Sequence, residues 1–386
     1  MTDTAPAIAI IGAGIAGLTA AATLRKIGLK AAIYEQAQAF ARIGAGIQMN
    51  PNAMKILRGL GLEARIRSIG FAPERGYNRE WDTGEITYLH PMGAQIEQRF
   101  GAPDISLHRA ELHSALLSIN PPDIIHFDKK LVGIDRNGSH LRLTFGDGGK
   151  VQADAVIGAD GVHSTVLDIL FGAAEPRFTG QVAYRAIYRS ELLGATIDDR
   201  VKWWGPDRHI VSYKVDPRRH ELYFIASTPE PDFKIESWSA RGNLDQLRSA
   251  FTGFHRDARI ILDACPEVRK WALVERDPLA CWSEDRIVLI GDACHPMLPY
   301  MAQGAGSSME DAVVLARCLE GADLEGFGYA FRRFERNRKE RTSRIQLGAR
   351  QNVWMRSAPD TAWLYEYDAW SFVGLSSEDR ADRRIR

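Results

Sequence analysis

Short apolar runs divide the chain at three widely separated places. The first covers residues 7–11, and the other two lie within 154–166 and 286–297. Continuous apolar runs of this length are typical of strands that are buried on both faces of a parallel sheet. The first run leads into a glycine-rich turn, and each of the others ends in a glycine and an acid. The pattern predicts one nucleotide-binding lobe that is assembled from separated segments.

Between the second and third runs, apolar and polar residues alternate, which predicts strands of a further sheet at 184–190, 201–204, 209–215 and 221–227. Residues 327–357 show the pattern of a long charged helix with an apolar stripe. The predicted fold class is α/β, with a Rossmann-like nucleotide lobe, an inserted β-sheet lobe and a long C-terminal helix. The nucleotide lobe is assigned to 1–73, 101–175 and 276–325, the inserted lobe to 74–100 and 176–275, and the C-terminal helical segment to 326–386.

The glycine-rich turn has the spacing of a dinucleotide-binding site. Gly12, Gly14 and Gly17 form GxGxxG between a predicted strand and a predicted helix. The first glycine permits the tight turn, the second admits a pyrophosphate and the third lets helix and strand pack closely. The following helix N-terminus favours phosphate. Glu35 ends the second predicted strand, where a carboxylate binds an adenosine ribose and repels a 2′-phosphate, so FAD or NAD fits better than NADP.

Composition narrows the classes of function. Lys+Arg and Asp+Glu number 49 each, so the chain carries no electrostatic footprint for nucleic acid or an anionic membrane. No apolar run reaches the ~18 residues of a membrane span, and the N-terminus lacks the basic region of a signal peptide. The four cysteines have no CxxC spacing, which argues against a disulfide framework and a zinc site. We therefore expect a cytoplasmic protein that binds neither nucleic acid nor membranes.

Three motifs carry a family resemblance that covers nearly the whole chain. GAGIAG with Glu35, then Asp160-Gly161, then Gly291-Asp292, resemble in order and spacing the FAD-dependent aromatic hydroxylases of the para-hydroxybenzoate hydroxylase type. The resemblance implies a single-component monooxygenase with bound FAD, NADH as co-substrate and O2. It implies a monocyclic hydroxylated aromatic acid as substrate, 6-hydroxynicotinate first and salicylate or 3-hydroxybenzoate second. A flavin dehydrogenase or reductase without oxygenation, and a non-catalytic binding protein of the GDP-dissociation-inhibitor kind, are the alternatives from other classes.

The resemblance also implies which residues hold FAD. Asp292 matches the acid that binds the ribitol chain, and Arg109 matches an arginine near the pyrophosphate. A helix opened by the 299–306 loop turns its backbone N–H groups towards the flavin. Leu167 departs from the family, whose Asp-Gly motif, linked to FAD and the nicotinamide cofactor, continues to an arginine. The implied cofactor-binding residues are Gly12, Gly14, Gly17, Glu35, Arg42, Arg109, Asp160, Gly161, Gly291, Asp292, Gly304 and Ala305.

The implied catalytic residues are Tyr213 and His209, which match a tyrosine and a histidine of the hydroxynicotinate and 3-hydroxybenzoate enzymes. Positions i and i+4 of a strand share a face but stand ~13 Å apart. The resemblance therefore places Tyr213 at the substrate hydroxyl and His209 in a proton relay or the pocket wall. A hairpin with a core aromatic face is the alternative. Trp203 is expected in the pocket, and since strand residues alternate, at most one of Trp203 and Trp204 faces it.

Three further pocket positions depart from the hydroxynicotinate enzymes. Gln48, Arg200 and Tyr300 stand where that pattern has histidine, cysteine and histidine. Changes in buried hydrogen-bonding groups can retarget an enzyme within one chemistry. For Arg200 two interpretations stay open: it pairs with a substrate carboxylate, or it is a solvated arginine after the acidic residues 198–199.

No metal is expected, because the ten histidines form no HxxxH spacing. Cys294 and His295 are adjacent, and adjacent side chains rarely aim at one atom, so we interpret His295 as ordering its loop rather than as half of a nucleophile pair. The C-terminal helix is expected to close the back of the nucleotide lobe. A dimer contact is the alternative, which leaves the protein a monomer or a homodimer.

Overall fold

The structure is a computed structural model that describes residues 7–41, 45–138, 140–172, 175–233, 240–352 and 360–372. Its strands are β1 (Ala7–Ile11), β2 (Lys30–Tyr34), β3 (Gly46–Met49), β4 (Gly76–Glu80), β5 (Ile86–His90), β6 (Ile105–His108), β7 (Ile125–His126), β8 (Leu131–Asn137), β9 (His140–Phe145), β10 (Lys150–Ala153), β11 (Ala155–Gly158), β12 (Arg177–Arg189), β13 (Arg200–Trp204), β14 (His209–Asp216), β15 (Glu221–Pro229), β16 (Arg269–Glu275), β17 (Ser283–Glu284) and β18 (Ile287–Leu289). Its α-helices are α1 (Ile15–Lys26), α2 (Pro51–Gly59), α3 (Glu63–Ile69), α4 (Ala94–Phe100), α5 (Arg109–Ser118), α6 (Thr165–Phe171), α7 (Leu244–Ala250), α8 (Arg256–Asp263), α9 (Gly304–Leu319), α10 (Phe327–Gln351) and α11 (Ala362–Tyr365).

A six-stranded sheet brings the three apolar runs together. Its order is β17-β18-β11-β1-β2-β7, and the strands from β18 to β7 are parallel. Ile10 of β1 lies opposite Ile157 on one side and Ile33 on the other, and all three are fully buried. Helices α1 and α9 pack against each other beside this sheet. The predicted α/β class, with a parallel sheet built from separated segments, is confirmed.

A seven-stranded sheet contains the four predicted alternating segments. Its order is β16-β12-β15-β14-β13-β4-β5, antiparallel except where β13 runs parallel to β4. One face packs on a cluster that includes Leu247 of α7 and Ile261 of α8. The other face packs with Leu298, Tyr300 and Ile345, which lie near the parallel sheet and on α10. This second face borders the site described below.

The long C-terminal helix predicted at 327–357 is α10, which ends at Gln351. Residues 353–359 lie outside the described part of the chain. Beyond them, residues 360–372 contain α11 and return over the seven-stranded sheet, where Leu364 packs with Ile345 and Val215. Among the described residues no helix combines the length and apolar character needed to cross a bilayer.

Candidate active site

A cavity of about 580 Å³ lies between the parallel sheet and the inner face of the seven-stranded sheet. Ligands of open α/β sheets bind outside the carboxyl ends of the parallel strands, and the turn after β1 and the loop after β18 form one end of this cavity. Strands β13 and β14 form the other end. Predicted residues on its surface are Gly14, Gln48, Arg109, Gly161, Arg200, His209, Tyr213, Asp292, Tyr300, Gly304 and Ala305.

The turn between β1 and α1 depends on two glycines for its shape and leaves the third open. Gly12 has φ +101°, and a Cβ there would lie 2.5 Å from the carbonyl oxygen of Ala159. A Cβ at Gly17 would lie 2.0 Å from the carbonyl oxygen of Gly12. Gly14 has no atom within 4 Å of its Cβ position and lines the cavity. Backbone atoms thus close the turn at two positions, and the third presents bare backbone to a ligand.

This difference predicts that two alanine substitutions affect different quantities, stability in one case and FAD binding in the other. Gly17→Ala should lower the free energy of unfolding by about 1–3 kcal/mol or more, because a backbone oxygen cannot move aside. Gly14→Ala should leave thermal unfolding of the apoprotein unchanged and weaken FAD binding at least tenfold, which a fluorescence titration with FAD measures. Gly133→Ala, at an open position in β8, is the matched control and should change neither quantity. Wild-type FAD affinity in Gly14→Ala would contradict the assignment.

Glu35 ties the glycine turn to the end of β2. Its Oε2 accepts a hydrogen bond from the backbone N–H of Ala13 at 2.8 Å, and its Oε1 accepts one from Ala37 at 2.9 Å. Both oxygens therefore hold backbone, and the ribose contact implied by the resemblance stays a prediction. Arg42, also predicted to bind the cofactor, lies outside the described residues.

Arg109 and Asp292 present opposite charges to the nucleotide end of the cavity. Arg109 begins α5, and its backbone N–H donates to Ala45 at 2.8 Å. Burial lowers the pKa of Arg109, and the charge of Asp292 opposes that shift. Burial raises the pKa of Asp292, and the nearby His295 and Arg109 oppose it. Within the described residues neither side chain forms a hydrogen bond, so a cation and a carboxylate are available for a pyrophosphate and for ribitol hydroxyls.

The loop that carries Asp292 is anchored from behind by a buried carboxylate. Asp311 on α9 accepts a hydrogen bond from the backbone N–H of Gly291 at 2.9 Å and contacts Nε2 of His295 at 2.5 Å. Its other oxygen accepts from Nε of Arg338 at 2.8 Å. His295 thus orders this loop, and its ring is fully buried.

Cys294, His295 and Asp311 also place potential metal-ligand atoms within 4.8 Å of one another. Arg338 binds the same carboxylate, and its positive charge disfavours a cation there. Burial raises the pKa of Cys294 well above 9, whereas a metal binds the thiolate. We therefore interpret this cluster as the anchor of the Asp292 loop.

The N-terminus of α9 points its first turn at the cavity. Ala302 adopts a left-handed φ of 52°, which turns the chain into the helix, and Gly304 and Ala305 line the cavity. The first N–H groups of a helix lack intrahelical partners and carry partial positive charge. They are therefore positioned to favour negative charge on a bound ring.

Asp160 does not line the cavity. Its Oδ1 accepts from the hydroxyl of Ser164 at 2.6 Å, and its Oδ2 accepts from the backbone N–H of Val166 at 3.1 Å. The carboxylate therefore holds the start of α6, and the neighbouring Gly161, with φ +81°, supplies the cavity surface. Leu167, where the family has an arginine, is fully buried in the core.

Tyr213 lies at the substrate end, on the inner face of β14. Burial raises its pKa well above 10, neighbouring Tyr223 raises it further, and Arg200, Arg185 and a hydrogen bond with Gln48 lower it. The ring centroids of Tyr213 and Tyr223 are 5.0 Å apart. The phenol is therefore protonated at neutral pH, with its orientation set by packing.

Gly46 allows this arrangement, because a Cβ there would lie 2.9 Å from the Tyr213 ring and 2.6 Å from the Tyr223 ring.

His209, four residues before Tyr213, is held by aromatic rings. It stacks on Trp204 with ring centroids 4.8 Å apart and meets Tyr300 edge-on at 5.0 Å. Burial raises the pKa of Tyr300 to about 12, and a hydrogen bond with Ser227 opposes that shift.

Arg200 lines the cavity, as predicted, but one of its two interpretations is wrong. It is only 4% exposed, so it is not solvated. Its guanidinium donates to both carboxylate oxygens of Asp104, at 3.0 and 2.6 Å, and to the Ser106 hydroxyl at 2.9 Å. An internal carboxylate already neutralises it, so pairing with a substrate carboxylate is not proposed for it.

Trp203 is also corrected. Its ring stacks on His255 at 5.7 Å and packs in the cluster beneath α7 and α8, on the face of the sheet that is turned away from the cavity. Strand alternation predicted that at most one of Trp203 and Trp204 faces the pocket, and the one on the inner face of the sheet is Trp204.

Sequence reasoning missed several residues of the cavity. Lys202 lies two positions from both Arg200 and Trp204, so alternation along β13 could have placed it inward. Thr361 and Tyr365 reach the cavity from the segment after α10, for which no local pattern gives a signal. Tyr365 reaches the site because Arg341 and Lys55 bind the backbone carbonyls of residues 363–366.

The chain matches a known protein family and several known proteins over most of its length. The pattern of the FAD binding domain family matches residues 5–329. The 6-hydroxynicotinate 3-monooxygenase of Bordetella bronchiseptica is 41% identical over 369 residues, covering 95% of this chain and 96% of that protein. A 3-amino-4-hydroxybenzoate 2-monooxygenase of Streptomyces platensis is 37% identical, covering 94% of this chain and 96% of that one.

A solved structure of a salicylate hydroxylase substrate complex superposes with a TM-score of 0.82 at 23% identity, covering 95% of this chain and 97% of that chain. A likeness at this identity supports the fold. The matches at higher identity go further, because those two proteins are named as monooxygenases of 6-hydroxynicotinate and of 3-amino-4-hydroxybenzoate. With the FAD binding domain pattern over most of its length, the chain belongs to the family of FAD-dependent aromatic monooxygenases.

Proposed function

We propose that this monooxygenase hydroxylates a monocyclic hydroxylated aromatic acid with NADH as reductant. One continuous cavity carries the proposal, since it joins Gly14, Arg109 and Asp292 at the nucleotide end to Tyr213 and Tyr300 at the other. A cofactor bound along the first group would therefore present its reactive ring to a small aromatic molecule beside the second. The protein is proposed to act in the cytoplasm as a monomer or homodimer.

The residues fit FAD. The bare backbone at Gly14 and the cation of Arg109 suit its pyrophosphate, Asp292 suits the ribitol hydroxyls and the start of α9 suits the flavin ring. When bound and reduced, FAD supplies the electrons with which O2 is activated for ring hydroxylation. The protein's own task is to hold the aromatic ring beside it, exclude water and stabilise the reactive form of the substrate.

Tyr213 is proposed to stabilise that reactive form. A substrate phenol with a pKa near 10 is protonated at pH 7, which lies ~3 units below that pKa. Forming its anion at this pH costs about 4 kcal/mol. The hydrogen bond from Gln48 lowers the pKa of Tyr213, as expected when the amide donates to the phenol oxygen. The O–H of Tyr213 then remains to donate to the substrate's ring oxygen, which stabilises its anion.

His209 and Tyr300 are proposed to shape the pocket wall. The imidazole is clamped between Trp204 and Tyr300, and strand geometry sets it ~13 Å from Tyr213 along β14. A proton relay from the substrate to the imidazole would therefore require intervening groups. The histidine-to-tyrosine departure at position 300 therefore changes the wall on which the substrate ring rests.

The leading substrate is 6-hydroxynicotinate, hydroxylated at C3 with loss of CO2 to give 2,5-dihydroxypyridine. It is supported by the 41% identity to the Bordetella enzyme, which is named for that substrate. Gln48, Arg200 and Tyr300 depart from that pattern, so salicylate and 3-hydroxybenzoate are the next candidates. The 37% identity to the Streptomyces enzyme adds 3-amino-4-hydroxybenzoate.

A substrate panel tests the proposal. Purified protein loaded with FAD is given each of these four acids, with NADH or NADPH, and O2 uptake, nicotinamide oxidation and product mass are recorded. We expect one acid to stimulate NADH oxidation more than NADPH oxidation, with matching O2 uptake. The product should carry one added oxygen atom on the ring and, if the acid is 6-hydroxynicotinate, should also have lost CO2. Stimulated NADH oxidation that consumes no O2 would favour the flavin reductase alternative and overturn the hydroxylation. Failure to retain FAD would favour the binding-protein alternative.

A further inference from the structure

Lys202 presents a cation to the substrate end of the cavity, and no described residue neutralises it. It lies on β13 opposite Val211 of β14 and Asn78 of β4, with its side chain on the cavity face. Within the described part of the chain its ammonium group forms no hydrogen bond and no ion pair. Lysines in the interior of proteins are otherwise paired.

The charged neighbours of Lys202 leave the region net positive. Arg200 and Asp104 cancel each other through two hydrogen bonds. Burial lowers the pKa of His90 to about 2, so this imidazole is neutral, and it bonds the side chain of Asn78 at 2.8 Å.

The two tyrosines on the other sides of this region, Tyr213 on β14 and Tyr365 on α11, carry no charge at neutral pH. Burial raises the pKa of each of them. One positive charge, that of Lys202, is therefore left on the cavity wall, where the side chain is half-buried.

The other cations on the cavity surface are already accounted for. Arg109 lies at the nucleotide end, where the opposite charge of Asp292 acts on it. Arg185 hydrogen-bonds Tyr223, and its guanidinium lies 3.0 Å over the Trp271 ring. Arg269 also has partners. Lys202 is the cation that remains for a ligand at the substrate end.

We propose that Lys202 binds the carboxylate of the substrate, and that this subsite selects aromatic anions over their neutral analogues. A desolvated cation without a counter-ion costs free energy, and a ligand carboxylate offsets that cost. With the carboxylate at Lys202 and the ring oxygen at Tyr213 on the next strand, the ring is fixed at two points. The inference rests on the proposed function for the identity of the ring, and its test does not depend on turnover.

This subsite predicts a pH dependence of binding. Burial lowers the pKa of Lys202 to about 8, Arg200 lowers it and Asp104 raises it. The protonated ammonium group, which binds the anion, therefore predominates below pH 8 and is lost as the pH rises above 8. The dissociation constant of an aromatic acid should rise towards tenfold per pH unit above this value, while that of its amide stays constant.

The experiment measures binding to the FAD-loaded protein without nicotinamide cofactor. The probes are 6-hydroxynicotinate, 3-hydroxybenzoate and salicylate, each paired with its neutral carboxamide, and the signal is the change in flavin absorbance. Lys202→Met removes the cation with little change in length, and Lys202→Arg restores it. Lys214→Met is the matched control, because Lys214 lies in the same sheet but outside the cavity lining, paired with Asp199 at 2.8 Å.

Wild-type protein should bind at least one acid tenfold or more tightly than its amide, about 1.4 kcal/mol. Lys202→Met should abolish that preference, and Lys202→Arg and Lys214→Met should keep it. An unchanged preference in Lys202→Met, or the absence of any preference in the wild-type protein, overturns the inference. Lys202-dependent binding without oxygen uptake in the substrate panel would instead overturn the proposed function and leave the anion subsite intact.

Discussion

Replacing Tyr213 by phenylalanine is expected to lower kcat by roughly 10²–10³-fold, because it removes the one donor proposed to stabilise the substrate anion. The ring would remain in place, since it packs on Tyr223 and over Gly46 rather than being held by its hydroxyl. FAD affinity should stay at the wild-type value, because Tyr213 lies at the substrate end of the cavity. Steady-state O2 uptake and FAD titration measure the two quantities.

Tyr188→Phe is the matched control for this substitution. Tyr188 lies on β12 of the same sheet and packs in the cluster beneath α7 and α8, where its hydroxyl donates to the carbonyl of Ile261 at 2.5 Å. Losing that bond should cost about 1 kcal/mol of stability and leave kcat unchanged. Equal losses of kcat and FAD affinity in Tyr213→Phe would reduce Tyr213 to a structural role.

Replacing Arg338 by methionine is expected to lower the free energy of unfolding by about 3–5 kcal/mol. Arg338 is fully buried, with Nε 2.8 Å from Asp311 and Nη1 2.7 Å from Glu310. Arg341 still pairs with Glu310 after the change, at 2.8 Å, but Asp311 keeps no cationic arginine. Asp311 also holds the loop that carries Asp292, so FAD retention should fall as well.

The sign of the pH dependence separates this mechanism from loss of packing. Burial raises the pKa of Asp311, but the charges of His295 and Arg338 lower it by more. Its pKa therefore lies below the usual value. In the wild-type protein this group therefore adds stability at neutral pH that is lost under acid. Without Arg338 only His295 still opposes the burial that raises the pKa of Asp311. We therefore expect that pKa to rise, and the loss of unfolding free energy in the variant to shrink from pH 7 to pH 5 as the carboxylate takes up a proton.

Thermal and urea unfolding at pH 7 and pH 5 measure how much free energy of unfolding Arg338→Met has lost. Arg336→Met is the matched control. Arg336 is exposed on the same helix, so its loss should change stability by less than about 0.5 kcal/mol. A deficit in Arg338→Met that is independent of pH would assign the loss to packing. A wild-type midpoint in that variant would contradict the anchoring role.

Local features of the sequence were predictable because their physics is local. The strand at Ala7–Ile11, the turn at Gly12 and the helix that follows it need only a short apolar run and residues free to adopt the turn. The same holds for the Gly291-Asp292 loop and the α9 start at Gly304, which the motif order located. The alternation of side chains along a strand also predicted that the two adjacent tryptophans face opposite sides.

Contacts between distant segments were not predictable in this way. Alternation does not say which face of a strand is inward, and Trp203 lies on the far side because α7 and α8 cover it there. Arg200 looked solvated beside acidic neighbours in sequence. Its partner is Asp104, which the fold brings from the loop before β6.

The sequence by itself determined the nucleotide end of this protein: the glycine turn, the order of the three strand-ending motifs and, through them, FAD as the cofactor class. Only the tertiary structure decided the substrate end, where β13, β14, the Asp104 loop and the segment around Tyr365 meet. A glycine turn carries its geometry in consecutive residues. The charge balance at Lys202 is a sum over side chains from five separate elements, and a sum of that kind exists only after the chain has folded.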